Sequence, residues 1–397
     1  MSNVDQSSLF EKIIFLPIVI FIRIISPILY IRVSPLKAAR IGHLVGEMEI
    51  YLCNRKYSNS SLFTIDIFYI RKKEKISNKF IFLKIKKKVI IIPNYIGKII
   101  YAINLKLNKI FKSKKKFFYD LQIHYSSQFL KLDNQQIKLT KSEIETGKEM
   151  AKNLKLMPDD KYICLVCRDS AYLKKSYPEK DYNYHSFRNA NIKDFLITCN
   201  FLTDLGYKVV RIGNIVENKF KTNNPKIIDY SNSEYVNDFL DVYLVSQCEF
   251  IITTATGIDE LAAVFRKPFV TVNYVPLGIL EFRPNKNFLI FKKYFCNIKN
   301  RNLSVSEIFD TNGAFYEKTD DFKNNNIDLI NNTPEEILEA TKDCINYIQN
   351  KKIIYDPKIQ EKFWQLYHDK RSHMRNDFYN EDLNCIINNN FLKSINI

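Results

Sequence analysis

One stretch of this chain constrains its fold more than any other, the run from Phe250 to Asn273. Apolar residues Phe250 to Thr253 read as a buried strand, Thr254-Ala-Thr-Gly257 as a tight loop, and Gly257 to Phe265 as a helix that begins at once. Arg266-Lys267-Pro268 stops that helix, and Phe269 to Asn273 forms the next strand. A strand, a glycine-containing loop and a helix start bring backbone N–H groups and the positive end of a helix together with hydroxyls, which suits a phosphate or diphosphate. The pattern points to a nucleotide-linked substrate.

Strand-like and helix-like segments alternate on both sides of this run, as in an α/β protein with parallel sheets. In the first half, Arg40 to Cys53 starts with a glycine turn and continues as an amphipathic helix. Phe63 to Ile70 and Val89 to Ile92 read as strands, with a helix from Gly97 to Leu107. Residues 112 to 140 are polar and basic and suit a linker or insertion. Thr140 and Glu143 form a capping box that opens a helix running to about Leu154. A second alternation follows, with strands at 162–167, 207–212, 226–228, 249–253 and 269–273 and helices at 191–205, 234–246 and 257–265. Thr333-Pro334 with Glu336 marks another helix start. The asparagine runs 324–326 and 387–390 read as loops.

A length of 397 residues exceeds one ordinary core and implies two domains. The expected division is an apolar segment 1–35, an acceptor domain 36–140, a nucleotide domain 141–330, and helices 331–397 packing back on the body. Ile13 to Val33 is strongly apolar but carries Arg23, Pro17 and Pro27. A central arginine is costly in a transmembrane span. Three readings stay open for this segment: attachment at a membrane interface, docking on the protein, or a span.

The net charge is +17, from 60 Lys+Arg against 43 Asp+Glu, and gathers in Arg71 to Lys73, Lys84 to Lys88 and Lys112 to Lys116. These runs suit a solvated face, or attraction to an anionic membrane surface or an anionic acceptor. No zinc-finger spacing or RNA-recognition motif accompanies them, so nucleic acid is not an expected partner. The eight cysteines give no framework. Cys164 and Cys167 lie three apart on an expected strand, so they face opposite sides of the sheet and share neither a bridge nor a metal. No metal site and no cofactor are expected. A reducing cytoplasm fits this usage.

Ligands of open parallel sheets bind beyond the carboxyl ends of the strands. Five expected strands end there in polar or glycine residues: Arg168-Asp169-Ser170, Gly213-Asn214, Asp229-Tyr230-Ser231, Thr254 to Gly257, and Asn273 onward. Arg168 offers a planar fork to phosphate oxygens, or pairs with a carboxylate. Thr254 and Thr256 donate to a ligand or cap the helix. Gly257 permits close approach of a ligand to the backbone, or merely a tight turn. Ile258 joins the donor-binding set beside it, and Asp259 sits in the first helical turn, where it serves the helix dipole or a sugar hydroxyl. Arg188 and Asn189 bind polar groups or cap the next helix. Ser170, Gly213, Asp229 and Asn273 complete the donor-binding set. Asp169, His185 and His43 are the candidate acids or bases. Glu47 lies four residues after His43, while Glu49 does not share that face. P-loop, hydrolase-elbow and zinc-protease signatures are absent, and so is an Asp-x-Asp motif.

Several blocks in this order resemble a family of bacterial glycosyltransferases of surface-polysaccharide synthesis. They are Arg40-Ile-Gly-His-Leu44, Cys164 to Tyr172, His185-Ser-Phe-Arg-Asn189, Gly206 to Gly213, Asp229-Tyr230 and Thr253 to Pro268. The resemblance, on its fucosyltransferase-like side, implies two Rossmann-like domains of the GT-B kind facing a cleft, with extra C-terminal helices. It also implies a nucleotide-sugar donor in the second domain and a phosphate contact at Arg168. The expected function is transfer of a sugar from a nucleotide-diphosphate donor to a surface-glycan or lipid-linked acceptor. The expected place is the cytoplasm, peripheral to the inner face of the membrane. Rivals are a transferase with another phosphorylated donor, or a non-catalytic module that binds nucleotide sugars or glycans.

Overall fold

A computed structural model describes residues 8–57, 63–71, 74–119, 135–176, 181, 183–280, 283–372 and 385–395. Lys72, Lys73 and residues 120–134 of the expected linker lie outside the described residues. The chain divides into two compact units, Met1–Lys138 and Leu139–Ile397.

The first unit is a three-stranded parallel sheet, β1 (Leu29–Leu36), β2 (Phe63–Ile70) and β3 (Ile90–Ile91), in that spatial order. The helices are α1 (Leu9–Ile24), α2 (Met48–Tyr57), α3 (Lys79–Lys86) and α4 (Asn94–Ile110). Three parallel strands in sequential order with helical crossovers make one half of a Rossmann fold. Neighbouring positions on β1 and β2 put Arg32 opposite Asp66. The guanidinium donates to both carboxylate oxygens, at 2.5 and 2.7 Å, and the Tyr51 hydroxyl from α2 donates to Asp66 at 3.0 Å. Such a bidentate pair fixes register as well as adding energy.

The apolar run Ile13 to Val33 is broken between two elements. Residues up to Ile24 belong to α1, and Leu29 onward joins the sheet as β1. Val19 and Ile22 enter the core formed with Ile99, Ile100 and Ile103 of α4. Arg23, the residue that made a span costly, donates to the side chains of Asn104 and Asn108 on α4 and lies 4.4 Å from the centre of the Phe117 ring. No described helix is long and apolar enough to cross a membrane.

The second unit is built on a seven-stranded sheet. Its strands are β4 (Tyr162–Val166), β5 (Lys208–Arg211), β6 (Ile227–Ile228), β7 (Ile251–Thr253), β8 (Phe269–Tyr274), β9 (Asn287–Phe291) and β13 (Cys385–Ile387). The spatial order is β13-β9-β8-β7-β4-β5-β6, and the neighbouring pairs are parallel. Numbered from β4, this reads 3-2-1-4-5-6 with one strand added at the edge, the Rossmann order. Every residue of β4, β7, β8 and β9 is buried, as strands covered on both faces must be. The helices include α5 (Lys141–Lys152), α6 (Ala171–Ser176), α7 (Leu196–Asp204), α8 (Asp238–Gln247) and α9 (Ile258–Val264).

A small antiparallel sheet of β10 (Lys293–Cys296), β11 (Arg301–Asn302) and β12 (Ile327–Ile330) follows β9, interleaved with α10 (Val305–Asp310) and α11 (Thr319–Asn324). The chain ends in α12 (Pro334–Asn350), α13 (Pro357–Ser372), β13 and α14 (Asn389–Ser394). The expected loop at 387–390 is therefore not one: Ile387 ends β13, and Asn389 and Asn390 begin α14. Asn388 caps α14 by accepting from the Phe391 N–H at 3.0 Å, which is why an asparagine-rich stretch can begin a helix there. The expected capping boxes at Thr140 and Thr333 are both formed.

Candidate functional site

The strand order reverses between β4 and β7, where connections leave to opposite sides of the sheet. In open α/β sheets the ligand crevice lies outside the carboxyl ends at this point. Here those ends are Arg168 and Thr254, and the Arg168 N–H donates to the Thr254 hydroxyl at 2.8 Å. The two residues singled out from separate loops thus meet. Thr254 is buried, and its hydroxyl still has a proton to donate.

The connection after β4 folds back over this point. Asn189 donates from Nδ2 to the Ser170 hydroxyl at 2.7 Å, and the Ala190 N–H donates to the Arg168 carbonyl at 3.1 Å. Arg188 reaches across to β7 and donates from a terminal nitrogen to the Ala255 carbonyl at 2.6 Å. Its Nε is buried without a hydrogen-bond partner among the described residues. A buried donor left in this state costs free energy until something accepts from it.

Lys292, the residue linking β9 to β10, is 3 % exposed. Its amine donates to the carbonyls of Phe187 and Asn189 at 2.9 and 2.7 Å. Neither Lys292 nor Arg188 forms an ion pair among the described residues. Burial, with Arg168 nearby adding to it, lowers the Lys292 pKa to about 8. Two cations are therefore held at the crossover by neutral carbonyls, beside Arg168. His185 lies in the same connection, its ring 4.0 Å from Tyr184 and 6.2 Å from Phe187 between centres. Thr319 at the start of α11 anchors the segment, its hydroxyl accepting from the Phe187 N–H at 3.2 Å.

The threonine loop is organised from below. Asp259 is 1 % exposed, and its Oδ1 accepts from the Thr253 and Thr256 hydroxyls at 2.7 and 3.1 Å. Arg283 lies 3.8 Å from Asp259 and pairs with Glu260 at 2.8 Å. Asp259 therefore shapes the loop from within. Helix α9 is only seven residues long, and its first turn already holds these two carboxylates. Gly257 is exposed at its start and Ile258 begins it. Positive charge toward a ligand thus comes chiefly from side chains, not from this helix end. Ala255 has φ +59, a conformation that strains an alanine and turns its carbonyl to Arg188.

Other candidates hold the frame. Asp169 accepts from the Ala171 N–H at 2.9 Å with one oxygen and from the Glu217 N–H at 2.8 Å with the other. Asp229 accepts from the Phe220 N–H at 2.8 Å and lies 3.5 Å from Arg211, a fully buried guanidinium at the end of β5. Gly213 packs beside Ser231, whose hydroxyl donates to the Arg211 carbonyl. Asn273 and Asn332 exchange two hydrogen bonds of 2.6 Å, joining β8 to the segment before α12.

His43 belongs to the first unit and opens a five-residue π-helical turn, His43–Glu47. Its Nδ1 lies 2.8 Å from Glu47 Oε1, which also accepts from Lys37 at 2.8 Å. A carboxylate on Nδ1 favours the tautomer whose Nε2 can accept a proton. Glu49 points elsewhere and accepts from the N–H groups of Gln136 and Ile137. Cys164 and Cys167 are free, and their thiols meet different carbonyls, Leu244 and Ala190.

Lys292 was not legible as a site residue, although its signal resembles that of Arg168: a cation directly after the apolar run Phe288-Leu-Ile-Phe291. A cavity of about 280 Å³ among Lys148, Asp160 and Tyr243 lies at the opposite, amino-terminal end of β4.

No family model matches the sequence, and no curated protein does. Solved structures show loose likenesses. The ADP-heptose LPS heptosyltransferase II of Escherichia coli is 11 % identical, with a TM-score of 0.35 over 61 % of this chain and 84 % of that one. A glycosyl transferase family 9 protein of Veillonella parvula is 12 % identical, with a TM-score of 0.35 over 61 % and 80 %. The iron-containing dodecameric glycosyltransferase TibC of enterotoxigenic E. coli is 12 % identical, with a TM-score of 0.31 over 63 % and 61 %. None of the three is described as a fucosyltransferase. At these values the likeness assigns neither family nor activity, and the reading of this chain rests on its own strand order and side chains.

Proposed function

We propose that the chain is a glycosyltransferase whose nucleotide-diphosphate sugar sits at the crossover between β4 and β7. The observation that carries this reading is the pair of cations there, Arg188 with a buried Nε–H unmet among the described residues and Lys292 held by two backbone carbonyls. Carbonyls orient these cations without neutralising them, so an anionic group gains both charge and hydrogen bonds on arrival. Arg168 adds a third cation at the end of β4. The sequence blocks that resemble glycosyltransferases support a sugar as the group transferred, and a surface-glycan or lipid-linked molecule as its acceptor.

In the transfer, the acceptor hydroxyl oxygen bonds to the anomeric carbon as the bond from that carbon to the diphosphate oxygen breaks. The hydroxyl proton passes to a base, and the electron pair leaves with the nucleoside diphosphate. Arg168, Arg188 and Lys292 stabilise the charge developing on that leaving group, the kind of prearranged electrostatics on which catalysis chiefly relies.

Thermal unfolding with a panel of nucleoside diphosphates and their sugars tests the donor site. A matching nucleotide should raise the wild-type melting temperature. Arg188→Ala and Lys292→Met should each weaken its binding by about 10- to 100-fold, the worth of one charge-assisted hydrogen bond. Release of nucleoside diphosphate that depends on added glycan acceptor then reads transfer itself. If no nucleotide or nucleotide sugar shifts the wild-type transition, the donor site is refuted.

A further inference from the structure

We propose that the outward face of α1, together with the turn after α4, docks the first unit on an anionic bilayer surface. This inference stands apart from the transferase reading and needs none of its residues. Helix α1 is apolar on both sides. Phe15, Val19 and Ile22 face the core, while Phe10, Ile13, Ile14, Phe21 and Ile24 follow the same helical spacing outward. Phe10 is 72 %, Phe21 61 % and Ile24 69 % exposed. An apolar stripe of this kind, left uncovered along a whole helix, marks a surface that meets something.

The residues around the stripe say what it meets. Lys115 donates to the Ser26 carbonyl at 2.8 Å, which brings the turn after α4 beside the carboxyl end of α1. That turn exposes Ile110 and Phe111 among Lys109, Lys112, Lys114 and Lys116, all exposed. Charge is divided between the units in the same sense. Residues 1–138 hold 25 Lys+Arg against 8 Asp+Glu, whereas residues 139–397 hold 35 of each. The whole excess of +17 therefore belongs to the unit that bears the apolar stripe. Apolar side chains framed by lysines suit the boundary between acyl chains and anionic headgroups. With 16 residues the helix rises about 24 Å, short of a bilayer core, and Arg23 is turned inward to α4, so the helix lies along the surface.

Sedimentation of the full chain with vesicles tests this, comparing pure phosphatidylcholine with phosphatidylcholine containing phosphatidylglycerol. The wild type should bind the anionic vesicles and leave the neutral ones. Phe21→Asp with Ile24→Asp should weaken binding by about tenfold or more, since charge on an inserted face opposes insertion. Lys112→Glu with Lys114→Glu should weaken it too, and raising salt should do the same. Both variants alter outward side chains, so their melting temperatures should match the wild type. Undiminished binding by the aspartate variant, or no binding by the wild type, overturns the proposal. So does a wild-type dimer that Phe21→Asp converts to monomer, because a second copy would then cover the face.

Discussion

At the scale of single residues, the crossover site depends on cations that are buried yet not neutralised. Lys292 shows this most clearly. Its pKa of about 8 reflects burial and the nearby guanidinium of Arg168, which both disfavour a second charge. A bound diphosphate favours the protonated amine, so affinity should be full below pH 8 and decline as the pH rises through that value. The ligand phosphates are already ionised there, with a second pKa near about 6, and add no opposing change. Calorimetric titration of a nucleoside diphosphate from pH 7 to 9.5 should show this decline in the wild type. In Lys292→Arg it should be largely absent, because a guanidinium stays charged throughout.

The other residues of the crossover also show how far sequence could go. Arg168 and Thr254 are legible because each ends an apolar run that reads as a strand from sequence, whereas the run before Lys292 does not. Asp259 was placed in the correct helical turn, but spacing does not tell whether a carboxylate there looks out to a ligand or in to Thr253 and Arg283.

At the scale of elements, close approach of helices leaves specific traces. Gly147 on α5 packs against the ring of Tyr243 on α8, and a β-carbon there would fall 2.0 Å from the ring edge. Gly147→Ala should therefore lower stability by about 1–3 kcal/mol through overpacking, measured by chemical unfolding. Alanine ordinarily favours a helix over glycine, so a stabilised variant would refute this packing. Strands bounded by polar residues were legible, including β2 from Phe63 to Ile70, between Ser58-Asn-Ser-Ser61 and Arg71-Lys-Lys-Glu74 in the sequence. The join of α1 to β1 was not, since Ile13 to Val33 is apolar on nearly every position and neither period prevails. β13 escaped for a different reason. Three residues among asparagines carry little pattern, and the strand is held by Gln360, whose side chain exchanges hydrogen bonds with the backbone of Ile387.

At the scale of the whole molecule, two α/β units divide the properties of the chain between them. The first carries the net positive charge, the exposed apolar helix and the His43–Glu47 pair. The second is charge-balanced and carries the reversal of strand order with its cations. Alternation of strands and helices made the α/β class legible, and polar residues after successive strands indicated which sheet edge matters. Strand order itself has no signature in composition or periodicity. It comes from which apolar runs become neighbours, and it is what sets the loops after β4 and β7 side by side at one crossover.

A crystal structure of the protein with a nucleoside diphosphate tests that crossover most directly. The phosphates should lie within hydrogen-bond reach of Arg188 Nε and the Lys292 amine, beyond the ends of β4 and β7. A nucleotide bound instead in the cavity near Lys148 and Tyr243, at the opposite edge of the sheet, would contradict the assignment of the donor site.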